Sequence, residues 1–310
     1  MRNYILGLAG AALIASVGAA IGADNPPADP PLMLASLAKS DAGADSGQAR
    51  QIDLGDKLDL PKPKGAEKLQ ITYDVFIGGL HLATAEMVAT VDHGHYLAAS
   101  AVSTKGLAEA FASSQIAAVA TGEVRGNLVI PHAYNSDTKA PDKRQLVGLQ
   151  YDGGAPVDIN SAPAYDLNRF PVSPDQKVGT VDPLSAALYI MLGSSANDAH
   201  KCGAVVPVFD GKRRYNLTFD FKKNDTASLG HDVNGGKPVP AYLCVTNYVP
   251  VAGFKPHKKG HQPSDVPSLD IWMAPYPGSD FIVPVRMQAS TDFGGIVARA
   301  TKLIVTPAGA

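Results

Sequence analysis

Few residues in this chain stand at the spacings that chemistry requires. It contains no G-x-S-x-G elbow for an acyl nucleophile, no H-E-x-x-H zinc pair, no G-x-x-x-x-G-K phosphate loop and no D-x-D-x-D-G calcium loop. His93 and His95 flank Gly94, so a turn there could offer two imidazoles to one metal, but nothing in the sequence points to a third ligand. His257 and His261 lie in a basic stretch, Lys255-Pro256-His257-Lys258-Lys259-Gly260-His261-Gln262-Pro263, punctuated by Gly and Pro like a solvated hairpin end. Its charge could meet an acidic partner or a lipid head group. A hydrolase would have to be assembled from distant residues, such as a histidine with Asp182 or Asp210. The expectation is a protein without a catalytic set, cofactor or metal.

The segment Pro207-Val208-Phe209-Asp210-Gly211-Lys212-Arg213-Arg214-Tyr215 says more. Asp210-Gly211 is a turn pair, and the run after it alternates. Tyr215, Leu217, Phe219 and Phe221 share one face, and Arg214, Asn216, Thr218 and Asp220 share the other. The same parity puts Arg213 on the apolar side, where an unpaired guanidinium is costly. It must reach a carboxylate, backbone carbonyls or the solvated rim of a sheet. The structural reading is a rim arginine. The functional reading is an arginine at the mouth of a groove, holding an anionic head group.

The elements that position these residues are mostly strands. In residues 69–77, Ile71, Tyr73, Val75 and Ile77 alternate as in a half-buried strand, and Gly78-Gly79 suits a hairpin turn with positive φ. The return strand places Ala85, Met87, Ala89 and Val91 on one face and Thr84, Glu86 and Thr90 on the other. Turn signals at His93-Gly94, Gly126-Asn127 and Gly153-Gly154 continue an antiparallel meander. Further strands are expected over residues 214–221, 241–249, 269–273, 281–291 and 296–306, and a short helix over residues 107–112. One helix stands out: Asp182 is a good N-cap, Pro183 fits the first helical position, and residues 184–192 are apolar on nearly every side, Leu188 among them. A helix without a polar face must be surrounded, so the sheet is expected to curl around it.

The chain has 310 residues, with 27 basic and 29 acidic side chains and a formal net charge of −2. That near-neutral balance argues against an electrostatic nucleic-acid binder, and two cysteines cannot build a Cys-rich zinc module. Residues 1–23 read as a secretory signal: Arg2 gives the positive start, residues 4–21 the apolar stretch, and cleavage fits after Ala20 or Ala23. Export to an oxidising compartment favours a bond between Cys202 and Cys244, worth about 2–4 kcal/mol. Residues 24–66 are rich in Pro, Ala, Asp, Gly and Lys, the composition of a disordered tail, with one apolar island at Leu32-Met33-Leu34-Ala35-Ser36-Leu37. A single β-rich domain is expected over residues 67–306.

Several segments together resemble a family of exported proteobacterial proteins. They are Tyr73-Asp74-Val75 with Gly79-Leu80, Asp182-Pro183-Leu184-Ser185-Ala186-Ala187-Leu188, the Asp210-Gly211-Lys212-Arg213-Arg214-Tyr215 turn, Tyr248-Val249-Pro250-Val251-Ala252-Gly253-Phe254, Ile271-Trp272-Met273-Ala274-Pro275 and Val283-Pro284-Val285-Arg286, with Cys202 and Cys244 between them. The family is the domain of unknown function numbered 3108, and the likeness covers about residues 69–305. The resemblance implies an α+β fold, mostly β: a strongly curved open antiparallel sheet, a half-barrel or spiral, wrapped on a central apolar helix. It is similar to periplasmic lipoprotein carriers of the LolA/LolB kind, and it implies no reaction. The resulting expectation is a non-enzymatic periplasmic envelope protein that binds an apolar or lipidic ligand, a lipoprotein or an envelope protein partner, and no nucleic acid. Arg213, Tyr215, Phe219 and Leu188 are its expected contact residues. The alternative is an envelope scaffold with a filled core and no ligand.

Overall fold

Alternation with period two becomes ladder after ladder. A computed structural model of the chain describes residues 66–106, 113–126, 128–192, 202–229, 235–255, 266–291 and 294–307. The signal, the tail with its apolar island, the helix expected over residues 107–112, and His257, Lys258, Lys259 and His261 lie outside the described residues. The strands are β1 (Glu67–Ile77), β2 (Leu80–Asp92), β3 (His95–Thr104), β4 (Gln115–Arg125), β5 (Leu128–Ala140), β6 (Lys143–Asp152), β7 (Ala155–Ala162), β8 (Val205–Phe209), β9 (Arg214–Ser228), β10 (Pro238–Ala252), β11 (Leu269–Pro275), β12 (Ile282–Thr291) and β13 (Gly294–Pro307). Among the described residues, two helices, α1 (Pro174–Lys177) and α2 (Pro183–Met191), lie between β7 and β8.

All thirteen strands belong to one antiparallel sheet, in the order β7-β6-β5-β4-β3-β2-β1-β13-β12-β11-β10-β9-β8. The sheet is curved and open, with β7 and β8 as its edges. β1 lies in the middle, paired on one side with β2 and on the other with β13, from Glu67 opposite Pro307 to Ile77 opposite Ile296. The expected faces hold. Ile71, Tyr73, Val75, Ala85, Met87, Ala89 and Val91 all point into the core, and the Gly78-Gly79 turn has φ of 56° and 87°.

The expected sheet wound on a central helix is found in its coarser form only. α1 and α2 are short, four and nine residues, so neither runs the length of the strands. Every residue of α2 is buried, and α2 touches β3, β4, β5, β8 and β12. Asp182 caps it and Pro183 opens it, as the sequence suggests. α1 is an addition: Ser173 and Gln176 form a reciprocal capping box around Pro174. Among the described residues, no helix is long and apolar enough to cross a membrane.

Cys202 and Cys244 are bonded, with Cα atoms 5.6 Å apart. The bond ties the entry to the edge strand β8 across β9 to β10. On β9, Tyr215, Leu217 and Phe219 are buried, but Phe221 is 45% exposed, against the expected shared face. The reason is geometric: β8 covers β9 only from Arg214 to Thr218, and the strand runs on past that cover.

Candidate functional site

The sheet's two edges are joined by side chains and loops rather than by a ladder, and the most distinctive sequence segments meet there. The approach to α2 is held to β8 by two backbone bonds, Val181 N–H to Pro207 O at 2.9 Å and Phe209 N–H to Val181 O at 3.0 Å. Gly179 N–H donates to Gly154 O in the β6–β7 turn at 2.9 Å. Arg214 Nε donates to Gln176 O of α1 at 3.1 Å. The β8–β9 turn leans on β6, since a Cβ on Gly211 would lie 2.6 Å from Val147 Cγ1.

Within that seam Asp210 organises its own turn. Its Oδ1 accepts from the N–H groups of Lys212 at 2.9 Å and Arg213 at 2.6 Å, while its Oδ2 is buried without a hydrogen-bond partner among the described residues. Burial raises the Asp210 carboxyl above its ordinary range, and the Arg213 charge and these donors pull it back. Arg213 precedes β9 rather than standing on its apolar face, because the turn ends one residue later than strand parity implies. Its guanidinium lies 5.7 Å from the Phe254 ring centroid. Tyr248 edges onto Phe254 at 6.1 Å and stacks on Tyr215 at 4.3 Å. Lys212 Nζ sits 4.8 Å over Tyr165. Gly253, at φ of 85°, makes this contact possible: a Cβ there would lie 2.3 Å from Lys212 O and 2.9 Å from Arg213 Cα.

A second polar group lies at the start of α2. Asp182 Oδ1 accepts from Leu184 N–H and Ser185 N–H, both at 2.9 Å. Ser185 Oγ donates to Asp182 Oδ2, and Tyr96 Oη lies 2.5 Å from Ser185 Oγ. Burial pushes Asp182 up to about 6 against the pull of those donors. The Tyr151 hydroxyl, electrostatically coupled to both Asp182 and Asp210, is buried without a hydrogen-bond partner among the described residues.

The chemistry of these two groups is that of a clamp. Each carboxylate is held by backbone N–H groups, with a hydroxyl beside Asp182 and cations beside Asp210. The described histidines that lie beside carboxylates do so elsewhere: His81 by Asp74, His93 by Asp92 and His132 by Glu123. Among the described residues, no three His, Cys, Asp or Glu side chains come together as a metal site.

Of the expected contact residues, Leu188, Tyr215 and Phe219 are 0%, 3% and 2% exposed, so all three are core. Arg213 alone reaches the partly solvated seam. The space between α2 and the sheet holds a cavity of about 10 Å³, lined by Ile190, Phe219, Cys244, Ile271 and Met273. A cavity that size is near the minimum for one water molecule. Sequence reasoning missed Tyr165, Tyr248 and Phe254 as neighbours of the Asp210 turn. The signal for the last two lay in the Tyr248 to Phe254 segment, but nothing local gave the β9–β10 register that brings it to Arg213.

The family described as "Protein of unknown function (DUF3108)" matches residues 72–301. The chain belongs to that family. Both seam segments, Asp210 to Tyr215 and Tyr248 to Phe254, fall inside the family match. A solved structure from Brucella abortus, described as a beta-barrel-like protein of domain of unknown function DUF1849, aligns with a TM-score of 0.46 at 11% identity, covering 77% of this chain and 98% of its own. No curated protein matches the chain.

Proposed function

We propose that this family member is an exported, non-enzymatic envelope protein that works through its folded surface, with its interior filled. In this reading the open, curved sheet packs its inner face against α2, and the partner is an envelope protein or lipoprotein met on the outside of the fold. The observation that carries it is the packing of the two apolar walls. Leu188 of α2 and Tyr215 and Phe219 of β9 are all buried, and the cavity lined by Phe219 and Ile190 of α2 is about 10 Å³. A carrier of the LolA/LolB kind would need a chamber of roughly 300–1,000 Å³ for its apolar ligand. The non-enzymatic reading is supported by the use of Asp182 and Asp210 as backbone caps.

The test is mass spectrometry of lipid extracted from protein purified in native form from the periplasm. The expected result is no lipid in stoichiometric amount; one lipid per protein chain would replace this reading with the carrier. Export is checked by N-terminal sequencing of the mature protein, which should begin after Ala20 or Ala23. Deleting the gene should sensitise cells to detergent and to cell-wall antibiotics, and unchanged tolerance of both would leave the envelope role without support.

A further inference from the structure

The outer face of the sheet carries a row of side chains fixed by register. Trp272 on β11 is the cross-strand partner of Arg286 on β12, and Arg286 is the partner of Arg299 on β13. Burial alternates accordingly, with Ile271, Met273, Val285, Met287 and Ala298 inside and this row outside. Two arginines at directly opposed ladder positions are an unfavourable like-charge pair unless an opposite charge offsets them.

Here one carboxylate stands beside the pair, Asp74 on β1, but it makes no ion pair or hydrogen bond with either arginine. The Arg286 guanidinium stacks over the Trp272 ring at 4.9 Å and donates from Nη2 to the neutral Gln288 Oε1 at 2.8 Å, while its Nε is shielded without an acceptor. The exposed Arg299 side chain makes no ion pair or hydrogen bond with the described residues. The carboxylates of the neighbouring strands have other contacts. Asp74, opposite Arg299 on β1, is 3.3 Å from His81 Nε2 and accepts from Thr84 Oγ1 at 3.3 Å. Asp270 pairs with Lys222 at 3.3 Å, and Asp225 pairs with Lys223 at 2.9 Å while accepting from Trp272 Nε1 at 3.1 Å. Lys302, also exposed, stands opposite Thr72 on the same stretch of β1.

We propose that Arg286 and Arg299, with the Trp272 ring beneath Arg286, form a binding site for a phosphate-type oxyanion on the outer face of the sheet. The planar fork of each arginine suits a tetrahedral anion, which would replace the repulsion between them with charge-assisted hydrogen bonds. The stacking on Trp272, itself held by Asp225, keeps one fork in place before the anion arrives. The site owes nothing to the envelope reading, since it rests on register and on unpaired cations alone. A free phosphate or the phosphate of a lipid head group would present the same chemistry.

Trp272 is the only tryptophan in the chain, so its fluorescence reports on this site directly. The purified protein is titrated with inorganic phosphate, and separately with sodium chloride at matched ionic strength. The expected result is a saturable change with phosphate that chloride does not reproduce, and an apparent affinity weakened about tenfold or more in both R286Q and R299Q. Arg299 is exposed and unpaired, so R299Q keeps the fold and decides the matter even where R286Q disturbs Trp272. In a second arm the protein is sedimented with vesicles of phosphatidylglycerol or of phosphatidylcholine. Sedimentation with the anionic vesicles that both variants lose and phosphate competes away assigns the site to a lipid head group. Its absence, with the phosphate response intact, assigns it to a free phosphate. A fluorescence change equal in chloride, or phosphate affinity unchanged in R299Q, overturns the proposal.

Discussion

Asp182 is pulled in two directions. As an N-cap it accepts two backbone N–H groups and the Ser185 hydroxyl, which favours the carboxylate, yet its complete burial favours the neutral acid, and burial wins, raising the group from 3.8 to about 6. The folded state therefore holds this proton more tightly than the unfolded chain does. Stability from this group is complete below the unfolded value of 3.8, and it is lost as pH rises through about 6, by about 3 kcal/mol in all. Urea melts at several pH values between 4 and 7.5 should show that decline, and Asp182→Asn, which cannot ionise, should flatten it. Equal pH dependence in the two proteins would refute the assignment. Gly253 is the other sensitive residue. Alanine there meets Lys212 O at 2.3 Å in a backbone conformation unsuited to a side chain, and should cost about 3 kcal/mol. Gly295→Ala, where a Cβ would meet nothing within 4 Å, is the control and should be near neutral in the same melts. The capping role of Asp182 was legible from its place before Pro183 and an apolar run. Its link to Tyr96, made through Ser185 at a separation of 89 positions from that tyrosine, was not, since nothing in the local pattern says which strand a helix end will face.

Strands were legible where one face is buried and the other wet, because burial then imposes period two; β1 and β2 are the clear cases. The end of cover was not legible. Residues 214–221 alternate without a break, but β8 stops opposite Thr218, and only the paired structure reveals that Phe221 lies beyond it. α1 was legible in principle from Ser173-Pro174 and Gln176, a capping signal too short to stand out among exposed residues. Since β8 is an edge strand of five residues, its attachment depends on more than its own ladder. The Cys202–Cys244 bond supplies the rest. Ellman titration of the denatured protein should find no free thiol, and replacing both cysteines with serine should lower stability by about 2–4 kcal/mol in urea melts. An unchanged midpoint would mean that the ladder and the Val181 bridge hold β8 unaided.

At the scale of the whole molecule, the one-sheet α+β character could be read from the turn signals, but the pairing of β1 with β13 could not. Pairing across the full length of a chain leaves no local trace. It has a consequence for how the sheet is threaded. In space the strands run from β8 to β13 and then from β1 to β7, each beside the next, so the fold is an unbroken meander that the chain enters at its middle. Glu67 and Pro307 are cross-strand neighbours, close enough for a tight turn of about two residues to join them. A circular permutant joined there and opened within the exposed residues 166–169 would have every strand paired with its neighbour in sequence. It should reach the same fold, with the same circular dichroism, and refold faster in stopped-flow mixing, because no ladder would wait on a distant partner. Equal or slower refolding would mean that closing β1 onto β13 does not limit the natural chain. In the natural order β1 is first among the strands to leave a ribosome or a translocation pore, and its open edge stays unmatched until the last strand follows.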